Sequence, residues 1–205
     1  MKKLLAVVMA IARPTVLAVI LVLFGTSVFA ADCNSGVRYQ DNGNGTVTDC
    51  KTGLVWLRDA NCKDTAGGIT RGKDGRLNWD NAMKWAAGLH NGLCGLKDGS
   101  SAGAWRLPTK TEWEAMIADA QSKNYKNPPL TNAAGTAQWT NGHIFYHVLL
   151  SGFNYKYYGN RFWSSTTFAG SEISAWFVGL DGDGGVGANP KKDFSHFVWP
   201  VRGGK

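Results

Sequence analysis

Residues 38–57 read RYQDNGNGTVTDCKTGLVWL, and this stretch decides how the folded part of the chain begins. Short apolar runs flank the glycine-rich piece Asn42-Gly-Asn-Gly45. Asn-Gly pairs favour tight hairpin turns because both residues tolerate a positive φ. The stretch therefore predicts antiparallel strands over residues 37–41, 46–49 and 53–57, the first two joined by an Asn-Gly turn.

Two helices follow in the sequence. Asn78 is a capping residue for the first, which is expected to end at Asn91-Gly92, and Thr109 with Glu112 forms a capping box for the second. Apolar residues at helical spacing are assigned to the core rather than to a binding surface. They are Trp79, Ala82, Met83, Ala86 and Leu89 in the first helix, and Trp113, Met116, Ile117 and Ala120 in the second.

The second half of the chain has short apolar runs separated by turn residues. Residues 124–158 are predicted to form long loops with one brief strand or helix. Strands are expected over 161–166, 174–180 and 196–202, with a turn at Asp181-Gly-Asp183. Together with the two helices, this pattern predicts a loop-rich α+β domain.

Residues 1–30 have the layout of a secretory signal. Lys2, Lys3 and Arg13 are basic, residues 15–24 form an apolar run, and small residues precede a cut after Ala30. An apolar run of about ten residues is too short for a membrane-spanning helix, which needs about 20. We expect cleavage near Ala30, no permanent membrane span, and a secreted or periplasmic product at the cell surface.

The part after the signal, residues 31–205, has the size of one domain. Its formal charge falls from +7 to +4 once Lys2, Lys3 and Arg13 are removed. This mild and dispersed surplus does not favour nucleic acid as a partner, although weak attraction to polyanions such as sulfated polysaccharides is compatible with it.

The chain has four cysteines, Cys33, Cys50, Cys62 and Cys94. Export brings them to an oxidising compartment, so two disulfides are expected. Three pairings are open, and Cys33 with Cys50 and Cys62 with Cys94 is favoured because each pair closes a local loop. The spacing contains no zinc-binding CxxC.

No pattern of catalytic residues stands out, and we expect a protein that is not an enzyme. The four histidines are scattered, and no nucleophile elbow is present. Asp41, Asn44 and Asp49 are the best metal candidate, since alternating oxygen donors suit calcium. The Asn-Gly hairpin explains the same residues without an ion and is the preferred interpretation. No other cofactor is expected.

Several motifs in order resemble one known bacterial family. The chain resembles the domain of unknown function 1566, also called the C-terminal domain of the Legionella collagen-like adhesin. The motifs that carry the resemblance are residues 38–49, Thr52 to Trp56, Trp105 to Thr109, Trp163 to Thr166, Ala175 to Val178, and Val201 to Gly204.

The resemblance implies a C-type lectin-like fold related to the formylglycine-generating sulfatase-modifying domain. Two helices would flank one twisted antiparallel sheet with long loops, and the region near Tyr39 would pair with the region near Val201. The tripeptides of calcium-dependent sugar binding are missing, and no cysteine follows Cys94 to support the oxidase chemistry of the sulfatase-modifying relatives.

In such domains the ligand is held by loops and short strands of the C-terminal half, which corresponds here to residues 163–196. The residues expected to face outward and contact a ligand are Phe168, Glu172, Asp181, Asn189, Ser195 and His196, extended by Tyr155, Tyr157 and Tyr158. Tyrosines recur at recognition surfaces, but they also fill core edges.

The sequence therefore predicts an exported binding module of adhesin type that recognises a glycan or protein ligand through its C-terminal loops. One alternative is a structural or assembly subunit of a surface appendage or envelope complex. Another is an enzyme of unrecognised chemistry.

Overall fold

The computed structural model describes residue 33 and residues 36–140, 142–148 and 159–204. The predicted signal segment 1–30 and the tyrosines at 155, 157 and 158 lie outside these ranges. No helix of the described part is long and apolar enough to cross a membrane.

The opening stretch forms three consecutive antiparallel strands, as its turn residues predict. They are β1 (Tyr39–Asp41), β2 (Thr46–Asp49) and β3 (Leu54–Leu57). Gly43 and Gly45 in the first turn have φ values of 69° and 85°, a backbone region that glycine enters without strain. Any Cβ at Gly45 would lie 2.4 Å from the carbonyl oxygen of Gly95, so a larger residue does not fit there.

The first helix, α1 (Trp79–Ala87), begins where the sequence predicts and ends earlier. The side chain of Asn78 caps it by accepting from the Asn81 N–H at 3.0 Å. The chain leaves the helical path at Gly88, where the loop at Gly67 crosses so closely that a Cβ on Gly88 would lie 2.0 Å from the Gly67 nitrogen. This nonlocal contact accounts for the difference from the predicted end at Asn91-Gly92.

The second helix, α2 (Lys110–Ser122), begins at the predicted capping box. The Glu112 N–H donates to Thr109 Oγ1 at 3.2 Å, and the Thr109 N–H donates to Glu112 Oε2 at 2.7 Å. The predicted apolar stripe of this helix is buried in full: Trp113, Met116, Ile117 and Ala120.

A second, three-stranded antiparallel sheet follows, in the order β4-β5-β6. Its strands are β4 (Arg161–Thr167), β5 (Ser174–Gly179) and β6 (Val186–Pro190). The predicted strands at 161–166 and 174–180 are confirmed. The described residues between the second helix and β4 form isolated bridges and turns, which agrees with the long loops expected there.

The C-terminal strand β7 (Val201–Gly203) corrects two expectations. It joins the first sheet by pairing with β3, where Trp56 faces Val201, so the first sheet has the order β1-β2-β3-β7. Two strands, β2 and β3, therefore separate Tyr39 from Val201. The outer edge of β1 is already taken, because the N–H groups of Arg38 and Tyr39 donate to the Ala133 carbonyl at 2.8 and 2.9 Å.

The other correction concerns the segment 196–202, which was expected to be one strand. His196 bridges Leu77 and Phe197 bridges Phe162, and regular pairing begins only after Pro200. Proline has no N–H to donate to a ladder, and the segment crosses from one sheet to the other. The described part thus has two antiparallel sheets and two helices, an α+β fold with two sheets where one was expected.

One hydrophobic core joins both sheets and both helices. At its centre, the ring centroid of Trp199 lies 5.2 Å from that of Trp56 on β3 and 5.8 Å from that of Trp113 on α2. Phe162 on β4 lies 5.8 Å from Trp199, so the second sheet meets the first through these rings. All four side chains are at most 1 % exposed.

Both disulfides have the pairing that the local loops favoured. Cys33 is bonded to Cys50 and Cys62 to Cys94. Cys50 directly follows β2, so the first disulfide fastens Cys33 to the first sheet, and the second joins the loops that contain Cys62 and Cys94. Two disulfides fit an extracellular or periplasmic protein.

The capping box gives the first testable prediction. Replacing Thr109 by alanine removes the acceptor for the Glu112 N–H, and we expect the free energy of unfolding to fall by about 1 kcal/mol. Thr111→Ala is the matched control, since Thr111 is exposed on the first turn of the same helix. Urea denaturation of both variants measures the difference, and equal midpoints would show that the cap contributes nothing.

Candidate binding cleft

The predicted ligand-contact residues divide into three groups in the structure. Glu172, Asp181 and Ser195 are exposed, and Phe168 and Asn189 are half-buried. His196 is 1 % exposed, so the expectation that its side chain faces outward is wrong. Tyr155 and Tyr157 lie outside the described residues, and their role stays a prediction.

His196 is buried because aromatic rings surround it. The centroid of its ring lies 4.2 Å from that of Trp163 and 4.9 Å from that of Phe177. Its Nε2 lies 3.0 Å from the side-chain nitrogen of Asn189, which donates to it in the neutral tautomer that carries the ring proton on Nδ1. The histidine therefore orients Asn189 and fills the core.

Burial, with a smaller contribution from the positive charges of Arg161 and Arg76, lowers the pKa of His196 to about 3. At neutral pH the imidazole is therefore uncharged. A neutral, enclosed imidazole is a structural group and does not contact a ligand from outside.

Phe168 belongs to a half-exposed aromatic pair. Its ring packs edge-on against Trp176 with centroids 5.1 Å apart, and Lys110 Nζ lies 5.0 Å from the centroid of the Trp176 ring. This pair covers the side of the second sheet that faces the start of α2. Phe168 is thus partly used in packing and offers only one edge to a partner.

A cleft of about 350 Å³ lies where the β4–β5 turn meets the end of β6 and the start of α1. Ile173 lines it and is 72 % exposed, so it offers apolar contact area to a partner. The lining combines apolar and charged groups of both signs: Asp80, Glu172, Ile173, Pro190, Lys191, Lys192 and Asp193.

Backbone hydrogen bonds hold the walls of this cleft in place. The Lys191 N–H donates to the Ile173 carbonyl at 2.8 Å, and the Trp79 N–H donates to the Lys191 carbonyl at 3.0 Å. Lys191 Nζ donates to the Glu172 carbonyl and to Thr167 Oγ1, both at 2.9 Å, and lies 4.3 Å from the centroid of the Trp79 ring. Lys191 is therefore part of the frame, whereas Glu172, Ile173 and Lys192 are exposed and are among the groups able to meet a ligand.

The structure does not bring all the predicted residues together. Asp181 follows the far end of β5, about 20 Å along the strand from Glu172 at its near end. Its carboxylate lies against Gly159, where a Cβ would come within 2.1 Å of Asp181 Oδ2. Asp181 therefore belongs to a different part of the surface from the cleft.

Each of the three candidate metal ligands has a partner within the chain. Asp49 is fully buried, and both of its carboxylate oxygens accept from Arg38, at 2.8 and 2.9 Å. Asp41 forms an ion pair with Arg58 at 2.9 Å, while Asn44 Oδ1 accepts from the hydroxyl and the N–H of Thr46. These contacts build the hairpin and its neighbours, and calcium binding by the three residues stays a prediction.

A larger cavity, about 490 Å³, was not anticipated from the sequence. It lies beside the first hairpin turn, with the Cys62–Cys94 disulfide in its wall. Tyr146, 36 % exposed, lines it, and the Arg58 guanidinium lies 4.4 Å from the centroid of that ring. No sequence motif indicated this region, because the cavity is assembled from four separate segments of the chain.

Within the described part, one group of side chains is compact enough to suggest a metal, namely Cys62, Asp64 and Cys94. Its two sulfur atoms are joined in a disulfide, so neither is a thiolate ligand.

The chain is thus an α+β domain with two disulfides. Its cleft exposes Ile173 among charged residues, and backbone hydrogen bonds hold the walls of the cleft. The chain belongs to the family described as the Lcl C-terminal domain, whose family model matches residues 45–202. No curated protein and no solved structure matches the chain significantly.

The buried histidine predicts a pH dependence of stability. Because the pKa of His196 is about 3 in the folded protein and near 6.5 when the chain is unfolded, acid protonates the unfolded state first. The stabilisation is complete above pH 6.5 and is lost as the pH falls, by about 2 kcal/mol at pH 5.

Urea denaturation at pH 7 and pH 5 measures this loss, and the His196→Phe variant should lose about 2 kcal/mol less than the wild type over the same interval. An NMR titration gives an independent check, since the imidazole signals of His196 should not move between pH 8 and pH 5. A midpoint inside that range would contradict the assignment.

Proposed function

We propose that the chain is a non-catalytic binding module of adhesin type, which holds a glycan or protein ligand at the cleft formed by Glu172, Ile173 and Lys192. The observation that carries the proposal is the exposure of Ile173 among charged groups in a frame locked by backbone hydrogen bonds. Sites of this kind supply apolar contact area at the centre and polar groups at the rim.

Membership in the Lcl C-terminal domain family and the two disulfides support a role outside the cytoplasm. We infer that residues 1–30 are a signal removed near Ala30 and that residues 31–205 act as one secreted or periplasmic domain at the cell surface. The arrangement of two helices, with early and late strands in one sheet, supports a C-type lectin-like fold for this domain.

Two features of the described residues support a non-catalytic role. His196 is enclosed and uncharged, while His147 Nδ1 lies 2.8 Å from Asp59 Oδ1, away from the cleft. Neither imidazole stands next to a nucleophile in the cleft, where a general base would be needed.

The proposal predicts that the cleft side chains are needed for binding. The triple variant Glu172→Ala, Ile173→Ala, Lys192→Ala should lower the affinity for the ligand that the wild-type domain captures at least about tenfold, because it removes the apolar centre and two of the charges that flank it. The ligand is found with the wild-type mature domain, on a glycan array and by pull-down from cell-envelope extract.

The matched control is the double variant Tyr146→Ala, Lys97→Ala, which truncates comparable side chains in the larger cavity beside the hairpin. It should bind as the wild type does. Loss of binding in the control together with full binding in the triple variant would place the site in the other cavity. A wild-type domain that captures no glycan and no envelope protein would refute the adhesin role itself.

A further inference from the structure

The edges of the first sheet are both occupied by other parts of the chain. At the β1 edge, the Tyr39 N–H donates to the Ala133 carbonyl at 2.9 Å. At the β7 edge, Arg106 and Val201 exchange two backbone hydrogen bonds of 2.9 and 2.8 Å. Neither edge is open to a further strand at these positions.

The β4 edge of the second sheet is covered in the same way. The Trp163 N–H donates to the Phe197 carbonyl at 3.0 Å, and the Ser165 N–H donates to the Pro108 carbonyl at 2.8 Å. Unpaired strand edges recruit other strands, and proteins usually cover them. Three of the four sheet edges in the described part of the chain are therefore covered.

The fourth edge, formed by β6, is different. The Lys191 N–H donates to the Ile173 carbonyl and the Gly179 N–H to the Gly185 carbonyl, both at 2.8 Å, so the odd-numbered residues of β6 bond to β5. Hydrogen bonding alternates along an antiparallel strand. The backbone groups of Val186, Ala188 and Pro190 therefore point away from the sheet.

No described residue takes up the N–H groups of Val186 and Ala188 outside the sheet. The outer carbonyl of Pro190 accepts from Phe194 at 3.4 Å, a long contact that leaves acceptor capacity. Val186 is 40 % exposed, and β6 contains no charged residue. This edge has the hydrogen-bonding groups for one more strand and no charge to repel it.

We propose that a second copy of this chain adds to this edge, with the two β6 strands antiparallel about a twofold axis at Ala188. In this register each Ala188 N–H donates to the Ala188 carbonyl of the other copy, and each Val186 N–H donates to the other Pro190 carbonyl. The edge is thus complementary to itself with about four hydrogen bonds. Proline at 190 has no N–H, which limits the pairing to this short, reversible contact.

The residues flanking β6 favour the antiparallel arrangement. Lys191, Lys192 and Asp193 follow the strand and carry one net positive charge, whereas Asp181 and Asp183 precede it. Antiparallel pairing sets the positive end of one copy beside the negative end of the other. Parallel pairing would set like ends together.

The pairing would join two sheets of three strands into one of six and carry two copies of the cleft. Two linked sites raise the apparent affinity for a ligand with repeated epitopes without any new contact. The association itself does not rest on the proposed ligand, so it can be tested without one.

Sedimentation equilibrium of the mature domain, at loading concentrations up to about 1 mM, tests the proposal. We expect a monomer–dimer equilibrium. Ala188→Pro removes the two central donors and should raise the dimer dissociation constant at least about tenfold, while Ala188→Ser keeps the N–H and should not. A wild-type monomer at every concentration, or equal constants for the two variants, would overturn the proposal.

Two cysteine variants test the same pairing without introducing proline into the strand. Residues facing each other across the axis have Cα atoms about 5.5 Å apart, which a disulfide can bridge. Ala188→Cys should therefore give a covalent dimer with oxidised glutathione as the oxidant. Val186→Cys should not, because the two copies of residue 186 would lie about 13 Å apart along the strands. The reverse pattern, or no cross-link in either variant, would contradict the register.

Discussion

Contact among three buried tryptophans holds the two sheets of this domain together. Trp56 lies on the first sheet, Trp113 on α2, and Trp199 on the segment that crosses between the sheets. The Trp199 indole N–H donates to the Leu57 carbonyl at 2.6 Å, which also fixes the crossing segment to β3. The strands of both sheets are short, so the contact between the sheets depends on the apolar area that these rings bury.

Indole N–H groups also form hydrogen bonds that connect separate segments of this loop-rich chain. Trp163 donates to the Leu77 carbonyl at 2.8 Å, Trp79 to the Ser164 carbonyl at 2.8 Å, and Trp85 to the Asp64 carbonyl at 2.8 Å. Each bond joins segments at least 21 residues apart in sequence. Trp79, whose ring also contacts Lys191, thus connects the cleft around Ile173 to β4.

Local features of the fold could be predicted from the sequence, and nonlocal ones could not. Two local features are the Asn42-Gly43 turn and the Thr109–Glu112 capping box. Each depends on residues a few positions apart, so each could be predicted from the sequence. The pairing of Val201 with Trp56 depends on which strand edge remains open after folding, and no local pattern shows that. The exposure of Glu172 follows from its local position in a turn and could be predicted. The burial of His196 could not, because the aromatic rings that enclose it come from residues distant in sequence.

The cleft was predicted only in outline. The C-terminal half was the expected region, and Glu172 lies in it, but Ile173 was not singled out because a strand-like apolar residue gives no sign of being exposed. The cavity beside the hairpin was not predicted either, because its lining comes from four separate loops. The resemblance to a family indicated the C-terminal half as the ligand-binding region. The individual candidate residues within it were chosen from their exposure and hydrogen bonding in the structure.

Native-state hydrogen exchange of a Trp199→Phe variant tests most directly whether this one ring cluster holds both sheets. The substitution removes the bond to Leu57 and part of the ring contact, so slow amides in β2–β3 and in β4–β5 should lose the same stability, about 2 kcal/mol. A loss confined to one sheet would contradict the account, because it would show that the sheets are stabilised separately.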